Sequence, residues 1–118
     1  MDDVMMEPGR RTYKSASCRV AMCDGVPDEM RDGIREIVSI ESGNPRKGHG
    51  TGLMHSLCAE ADAGGLVLLV QPGQYAEGMT TEQLARWYAR FGFVELPRDE
   101  GGPVLMARQA SKRNLHAL

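Results

Sequence analysis

The residues best suited by type and spacing to hold an anion are Lys47-Gly48-His49-Gly50-Thr51, which follow the strand-like Ser39-Ile40-Glu41 and precede Leu53-Met54. Glycine-rich backbone that runs from a strand into a helix leaves free N–H groups pointing outward. The positive end of the helix dipole adds to them. Gly48 and Gly50 carry no Cβ to hold a phosphate away from the main chain. Arg46 and Lys47 add positive charge, and Thr51 offers a hydroxyl in the first helical turn. His49 reads as a backbone contributor to the loop. The implied chemistry is a phosphate or pyrophosphate cradle.

The two familiar nucleotide loops are excluded by the residues themselves. A P-loop, G-x-x-x-x-G-K-[ST], has the right gap from Gly43 to Gly48, but His49-Gly50 stand where Lys and Ser or Thr are needed. A G-x-G-x-x-G dinucleotide fingerprint would need glycine at Leu53, and no acidic residue ends a following strand.

The elements that position this loop follow from the hydrophobic pattern. Residues 18–23 read as a strand closed by turn residues 24–28, and residues 33–42 as a β-branched strand leading into the loop. After the loop, Leu53, Met54, Leu57, Cys58 and Ala61 share one face of a helix that ends at Gly64-Gly65. Residues 66–70 are an uninterrupted apolar run, as in a strand covered on both faces. Strand, crossover helix and strand make a βαβ unit. Thr80 and Gln83 form a capping box for a helix that buries Leu84, Trp87, Tyr88 and Phe91, stopped by Gly92. Residues 93–96 and 104–107 form an antiparallel pair.

At 118 residues with net charge −2, the chain is one domain without the basic footprint of a nonspecific nucleic-acid binder. Residues 1–16 read as a flexible arm holding at most a short strand near Tyr13, 17–110 as the domain and 111–118 as a basic tail. No apolar run approaches the ~18 residues of a membrane span and no signal peptide is evident, so the expectation is a cytoplasmic protein. Cys18, Cys23 and Cys58 are odd in number with no C-x-x-C pair, which reads as reduced thiols rather than a metal site.

The loop resembles the acetyl-CoA loop of the GNAT family of N-acetyltransferases, Q/R-x-x-G-x-G/A followed by an apolar helix. Here Pro45 stands at the Gln/Arg position and Arg46 is displaced by one. A second motif, Leu84-Ala85-Arg86-Trp87-Tyr88-Ala89-Arg90-Phe91-Gly92-Phe93, resembles the family's A-x-x-[LF]-Y-x-x-x-G-F element. Together the motifs span residues 33–106, with a shorter N-terminal part than the family usually has.

The resemblance implies an α/β fold, a GNAT-like mixed sheet of five or six strands whose central strands, residues 33–42 and 66–70, splay around acetyl-CoA. It implies cofactor contacts from Ile40, Ser42, Arg46, Lys47, Gly48, His49, Gly50, Thr51 and Tyr88. It also implies acetyl transfer by direct attack of an amine acceptor, a small molecule or a protein. Tyr88 would face the thioester sulfur and protonate the departing thiolate. A backbone N–H near Glu41 or Ser42 would meet the developing oxyanion. Glu36 and Glu41 are candidate bases, but a separation of five puts them on opposite faces of a regular strand unless a bulge intervenes. Homodimers through residues 104–106 are a further expectation, and a catalytically idle CoA-binding or interaction module is the competing reading.

Overall fold

The computed structural model describes residues 6–42, 48–72, 80–98 and 100–110, without the Ser42 side chain. The basic tail, Arg46 and Lys47 lie outside the described residues. Ala16, Cys18 and Val20 turn inward at every second position, and Ala16–Met22 forms a strand, β2. It pairs antiparallel with Gly9–Tyr13 (β1) on one side and Ile34–Ser42 (β3) on the other. The chain crosses by helix α2, His49–Gly64, after the short α1, Asp28–Arg31, to strand β4, Val67–Val70, which lies parallel to β3. Helix α3, Thr81–Ala89, leads to β5, Val94–Glu95, and β6, Met106–Arg108. The sheet is mixed, with order β1-β2-β3-β4-β6-β5.

One sheet face carries the core. Register places Cys18, Val20, Ile37, Leu68, Val70 and Met106 on it, packed against Leu53, Met54, Leu57 and Ala61 of α2 and Leu84 and Tyr88 of α3. Two arginines close the ends of this layer. Arg108 donates to both carboxylate oxygens of Asp62 at 2.9 and 3.1 Å and to the Phe91 carbonyl at 2.7 Å, tying β6 to α2 and to the chain beyond α3. Arg35, only 2% exposed, donates to the carbonyls of Met6, Arg31, Asp32 and Ile34 at 2.8 to 3.3 Å. Its planar fork of donors thereby ties the chain before β1 and the end of α1 to the start of β3.

Three expectations from sequence change here. Residues 1–16 are not all a loose arm, because Gly9–Tyr13 is an edge strand. The forces that fix it are long-range: Arg11 makes a bidentate contact with Glu60 of α2 at 2.9 and 3.3 Å, and Tyr13 lies on Gly52. The run at 66–70 is not covered on both faces. Burial alternates along β4, with Leu68 and Val70 inward and Val67 and Leu69 half-buried, because both long helices lie on the other face. Residues 104–106 offer no free edge at Met106, which pairs with Val70 on one side and Glu95 on the other. The long helices otherwise follow the pattern. Gly65 ends α2 at φ 68, and the capping box at Thr80 and Gln83 is formed at 3.1 and 2.9 Å. Phe91 lies past the end of α3 and, with Trp87, packs against the core half-buried.

A Cβ at Gly52 would fall inside the Tyr13 ring. Gly52→Ala therefore costs about 1–2 kcal/mol despite its better helix propensity, because Tyr13 must swing off the helix. In a Tyr13→Ala background the same change becomes neutral or stabilising. Urea unfolding of the four proteins in this cycle measures the coupling, and additive effects would contradict the packing described.

Candidate functional site

The site begins with an irregularity in β3. Ser17 pairs with Glu41 but Arg19 pairs with Val38, so one β2 residue, Cys18, stands opposite two residues of β3, Ser39 and Ile40. Ser39 takes φ 59, a left-handed conformation that a residue with a Cβ adopts at a cost of order 1–3 kcal/mol. The bulge shifts the side-chain alternation by one. Glu36 pairs with Ala21 and Glu41 with Ser17, and these two β2 positions are four apart on one face. Both carboxylates thus share the sheet face away from α2 and α3. The sequence spacing alone predicts the opposite, and the inserted residue is the reason.

Beside the bulge the central strands part. Pairing between β3 and β4 ends at Ile37 and Val70, whereas β3 continues to Ser42 beside β2. Among the described residues, 38–42 have no ladder partner on the β4 side. Pairing with β3 runs to the last residue of β4, and the strained point of β3 is Ser39. Ile40 packs half-buried against the core at this point.

The two long helices begin differently. Thr80 and Gln83 close the N-terminus of α3, with Glu82 in its first turn. Helix α2 starts from Gly48 at φ 74, with no side-chain cap and no acid in its first turn. Among the described residues no side chain caps its first N–H groups. The glycines there have separable reasons. Gly48 is demanded by its left-handed φ, and Gly52 by the Tyr13 ring. Gly50 is demanded by neither, since a Cβ there would meet nothing nearer than Trp87 at 4.0 Å. Space at Gly50 is what a ligand lying on the helix start would use. Thr51 is half-buried in the same turn.

His49 has a role that sequence reasoning missed. The Ser15 N–H donates to its Nδ1 at 3.3 Å, which makes that nitrogen an acceptor, so the Ser15 hydroxyl at 2.6 Å donates to it as well. The tip of the β1–β2 hairpin, with Lys14 at φ 54, is thereby latched to the first residue of α2. The Tyr13 ring meets the His49 ring edge-on at 6.4 Å between centroids. A third glycine close after Gly48 and Gly50 was the available signal that a ring lies on this helix, but nothing local named Tyr13 as that ring.

Tyr88 is 5% exposed and packs edge-on against Trp87 and Phe93 at 5.0 and 5.5 Å. Its hydroxyl has no hydrogen-bond partner among the described residues. Burial pushes the phenol up to about 12, and the nearby Cys18 thiol adds to the shift. That influence puts Tyr88 close to the β2 residue opposite the bulge. Cys18 itself is pushed up to about 11 by burial, against the pull of the Arg11 guanidinium. It is a neutral thiol of the core, as is Cys58, also pushed up by burial. The three cysteines are free and buried, and among the described residues no cluster of His, Cys, Asp and Glu is arranged to hold a metal.

This combination of a mixed sheet with parted parallel centre strands and a helix starting at the gap is the GNAT fold. Three solved structures share it. The anti-CRISPR protein AcrVA5 superposes with a TM-score of 0.66 at 18% identity, over 86% of this chain and 98% of its own. A protein assigned to the GNAT family of acetyltransferases from Desulfovibrio desulfuricans gives 0.58 at 13% identity, over 82% of this chain and 62% of its own. One described as an acyl-CoA N-acyltransferase from Klebsiella pneumoniae gives 0.52 at 18% identity, over 82% and 64%. This chain thus spans less than two thirds of the last two. No protein-family model matches the sequence, and no curated protein matches it. Among the described residues no helix is long and apolar enough to cross a membrane.

The buried acids predict an alkaline limit. Cys18 and Tyr88 are neutral when protonated, and folding raises them from 9.0 to about 11 and from 10.0 to about 12. Their contribution is complete below pH 9 and is lost as pH rises through these folded-state values. Melting temperature should fall between pH 9 and 12, Cys18→Ala flattening the lower part and Tyr88→Phe the upper. An unchanged slope in Tyr88→Phe would contradict the burial of the phenol.

Proposed function

We propose that this chain is an acetyl-CoA-dependent N-acetyltransferase that transfers acetyl to a primary amine by direct attack. The observation that carries the reading is the start of α2 at Gly48, which has no side-chain cap and has open space at Gly50, in a fold shared with acyltransferase-type structures. The open start of α2 and the space at Gly50 fit a pyrophosphate, and the free edge of residues 38–42 fits an extended amide chain such as pantetheine. The likeness to AcrVA5 and to the two acyltransferase-type structures supports the same reading.

Acetyl-CoA supplies the acetyl group as an activated thioester. Gly48, His49, Gly50 and Thr51 bind its phosphates through the helix start, with Arg46 and Lys47 preceding them in the chain. Ile40 and Ser42 belong to the strand edge that holds the pantetheine arm. The main chain at the bulge offers an N–H to the thioester oxygen. Glu36 or Glu41, both on the acceptor-side face, removes the proton from an ammonium whose ordinary value is ~10.4. Tyr88, kept protonated by burial, gives its proton to the departing sulfur. Cellular placement follows the expectation of a cytoplasmic protein.

Acetyl-CoA should raise the melting temperature, and Gly50→Val should abolish the rise in a folded protein. Unchanged affinity in that variant would remove the cradle. With an acceptor in hand, from mass spectrometry of amines incubated with the enzyme, Tyr88→Phe should lower kcat by ~10²–10⁴ with little change in CoA affinity. Equal kcat in both proteins, with chemistry rate-limiting, would exclude the general acid. Binding without any transfer would favour an idle CoA-binding module.

A further inference from the structure

The tip of the β1–β2 hairpin and the start of α2 meet at one imidazole ring. Ser15 gives Nδ1 of His49 two hydrogens, from its main-chain N–H at 3.3 Å and from its hydroxyl at 2.6 Å. A main-chain N–H can only donate, so Nδ1 carries no proton. The neutral ring then has its proton on Nε2, and that end of the imidazole is a donor. Nε2–H has no partner among the described residues.

The charges around the ring favour an anion as that partner. His49 is the first residue of α2, whose start has no side-chain cap among the described residues and no acid in its first turn. Lys14, in the same hairpin tip, holds its Nζ 5.5 Å above the Tyr13 ring, which itself meets His49 edge-on. Glu60, further along α2, is paired with Arg11, and Glu41 lies opposite Ser17 on the other face of the sheet.

We infer that His49 holds a phosphate oxygen of the cofactor with its side chain, through Nε2–H, and that Ser15 is a positioning residue that fixes the ring in the tautomer this needs. The inference rests on the acetyl-CoA reading above, in which His49 serves only through the main chain of the helix start. With the proton on Nδ1 instead, the ring would turn a lone pair toward the phosphate and repel it. Ser15 excludes that form from a position that touches no cofactor atom, so the hairpin tip becomes part of the cofactor site.

Two amide substitutions separate the two ends of the ring. The short side chain in His49→Asn reaches the place of Nδ1 and keeps an acceptor for Ser15, but has nothing at Nε2. The longer one in His49→Gln reaches the place of Nε2 and keeps a donor for the phosphate. The test combines calorimetric CoA affinity with long-range ¹H–¹⁵N spectra of the histidine rings in the full chain at pH 8. Wild type should show His49 as the Nε2–H tautomer alone, and CoA or inorganic pyrophosphate should move Nε2 and leave Nδ1. Ser15→Ala should mix the tautomers and weaken CoA binding about three- to tenfold, the range of one neutral hydrogen bond, with melting temperature nearly unchanged. His49→Asn should weaken it by a similar factor, and His49→Gln should keep it within about twofold. A ring that serves only to latch the hairpin predicts the reverse order, since asparagine keeps the Ser15 contact. Mixed tautomers in wild type, an Nε2 that CoA leaves unmoved, or asparagine tolerated better than glutamine overturns the inference. If wild type binds no CoA, the acetyl-CoA reading has failed and takes this inference with it. CoA bound without a response at Nε2 overturns the role of His49 alone.

Discussion

One extra residue in β3 is the constraint on which the rest of the site depends. A regular strand would keep every β3 amide in a ladder and would put Glu36 and Glu41 on opposite faces. Setting Ser39 and Ile40 against the single residue Cys18 ends that regularity. Pairing to β4 runs as far as Ile37, opposite Val70 at the end of β4, and the second carboxylate joins the first. The left-handed Ser39 is costly in isolation, so it persists because the strands on either side of it are fixed. Upstream, β3 is held by β2, by β4 and by Arg35, whose guanidinium reaches four carbonyls. Downstream, it is held by Ala16 and Ser17 of β2.

The packing of α2 follows from the same place. The helix covers β1, β2 and β3 on one face, and its start lies where β3 ends. Three contacts set its position along the sheet: Tyr13 over Gly52, Ser15 on His49 and Arg11 on Glu60. Each joins the β1–β2 hairpin to α2 across more than thirty residues of sequence. The Arg108–Asp62 pair does the same at the far end. It is mostly desolvated and bidentate, a geometry in which an ion pair contributes more than an exposed one. The exposed Arg86–Glu82 contact at 4.0 Å has no comparable role.

Both long helices on one face give the sheet two different sides. The covered side is a dense apolar layer that includes Tyr88. The other side keeps half-buried Leu69, Ala107 and Val38 beside Glu36 and Glu41. The same face carries Arg19 opposite Val38 and Arg10 opposite Arg19, so charge of both signs lies beside its apolar positions. The two helix starts differ as well. The N-terminus of α3 is closed by Thr80 and Gln83, while that of α2 has no side-chain cap among the described residues.

The sequence by itself determined the elements and their order. Period 3.6 in residues 53–61, the apolar run at 66–70, the Thr80–Gln83 box and Gly65 each act within a few residues, so the helices and central strands were legible. The two motifs were legible too, because glycine spacing and the tyrosine position are properties of the chain. Tertiary structure decided the rest. Nothing local distinguishes Ser39 from a regular strand residue, and β1 has little hydrophobic periodicity of its own; its place comes from Arg11 and Tyr13 finding α2. The Val-Leu-Leu-Val run of β4 looks doubly covered in sequence, yet only the placement of both long helices decides that Val67 and Leu69 stay half-open. Which side chains share a face depends on register, and register is settled by partners distant in sequence. A single bulge therefore moved Glu41 across the sheet without changing any residue that sequence could read.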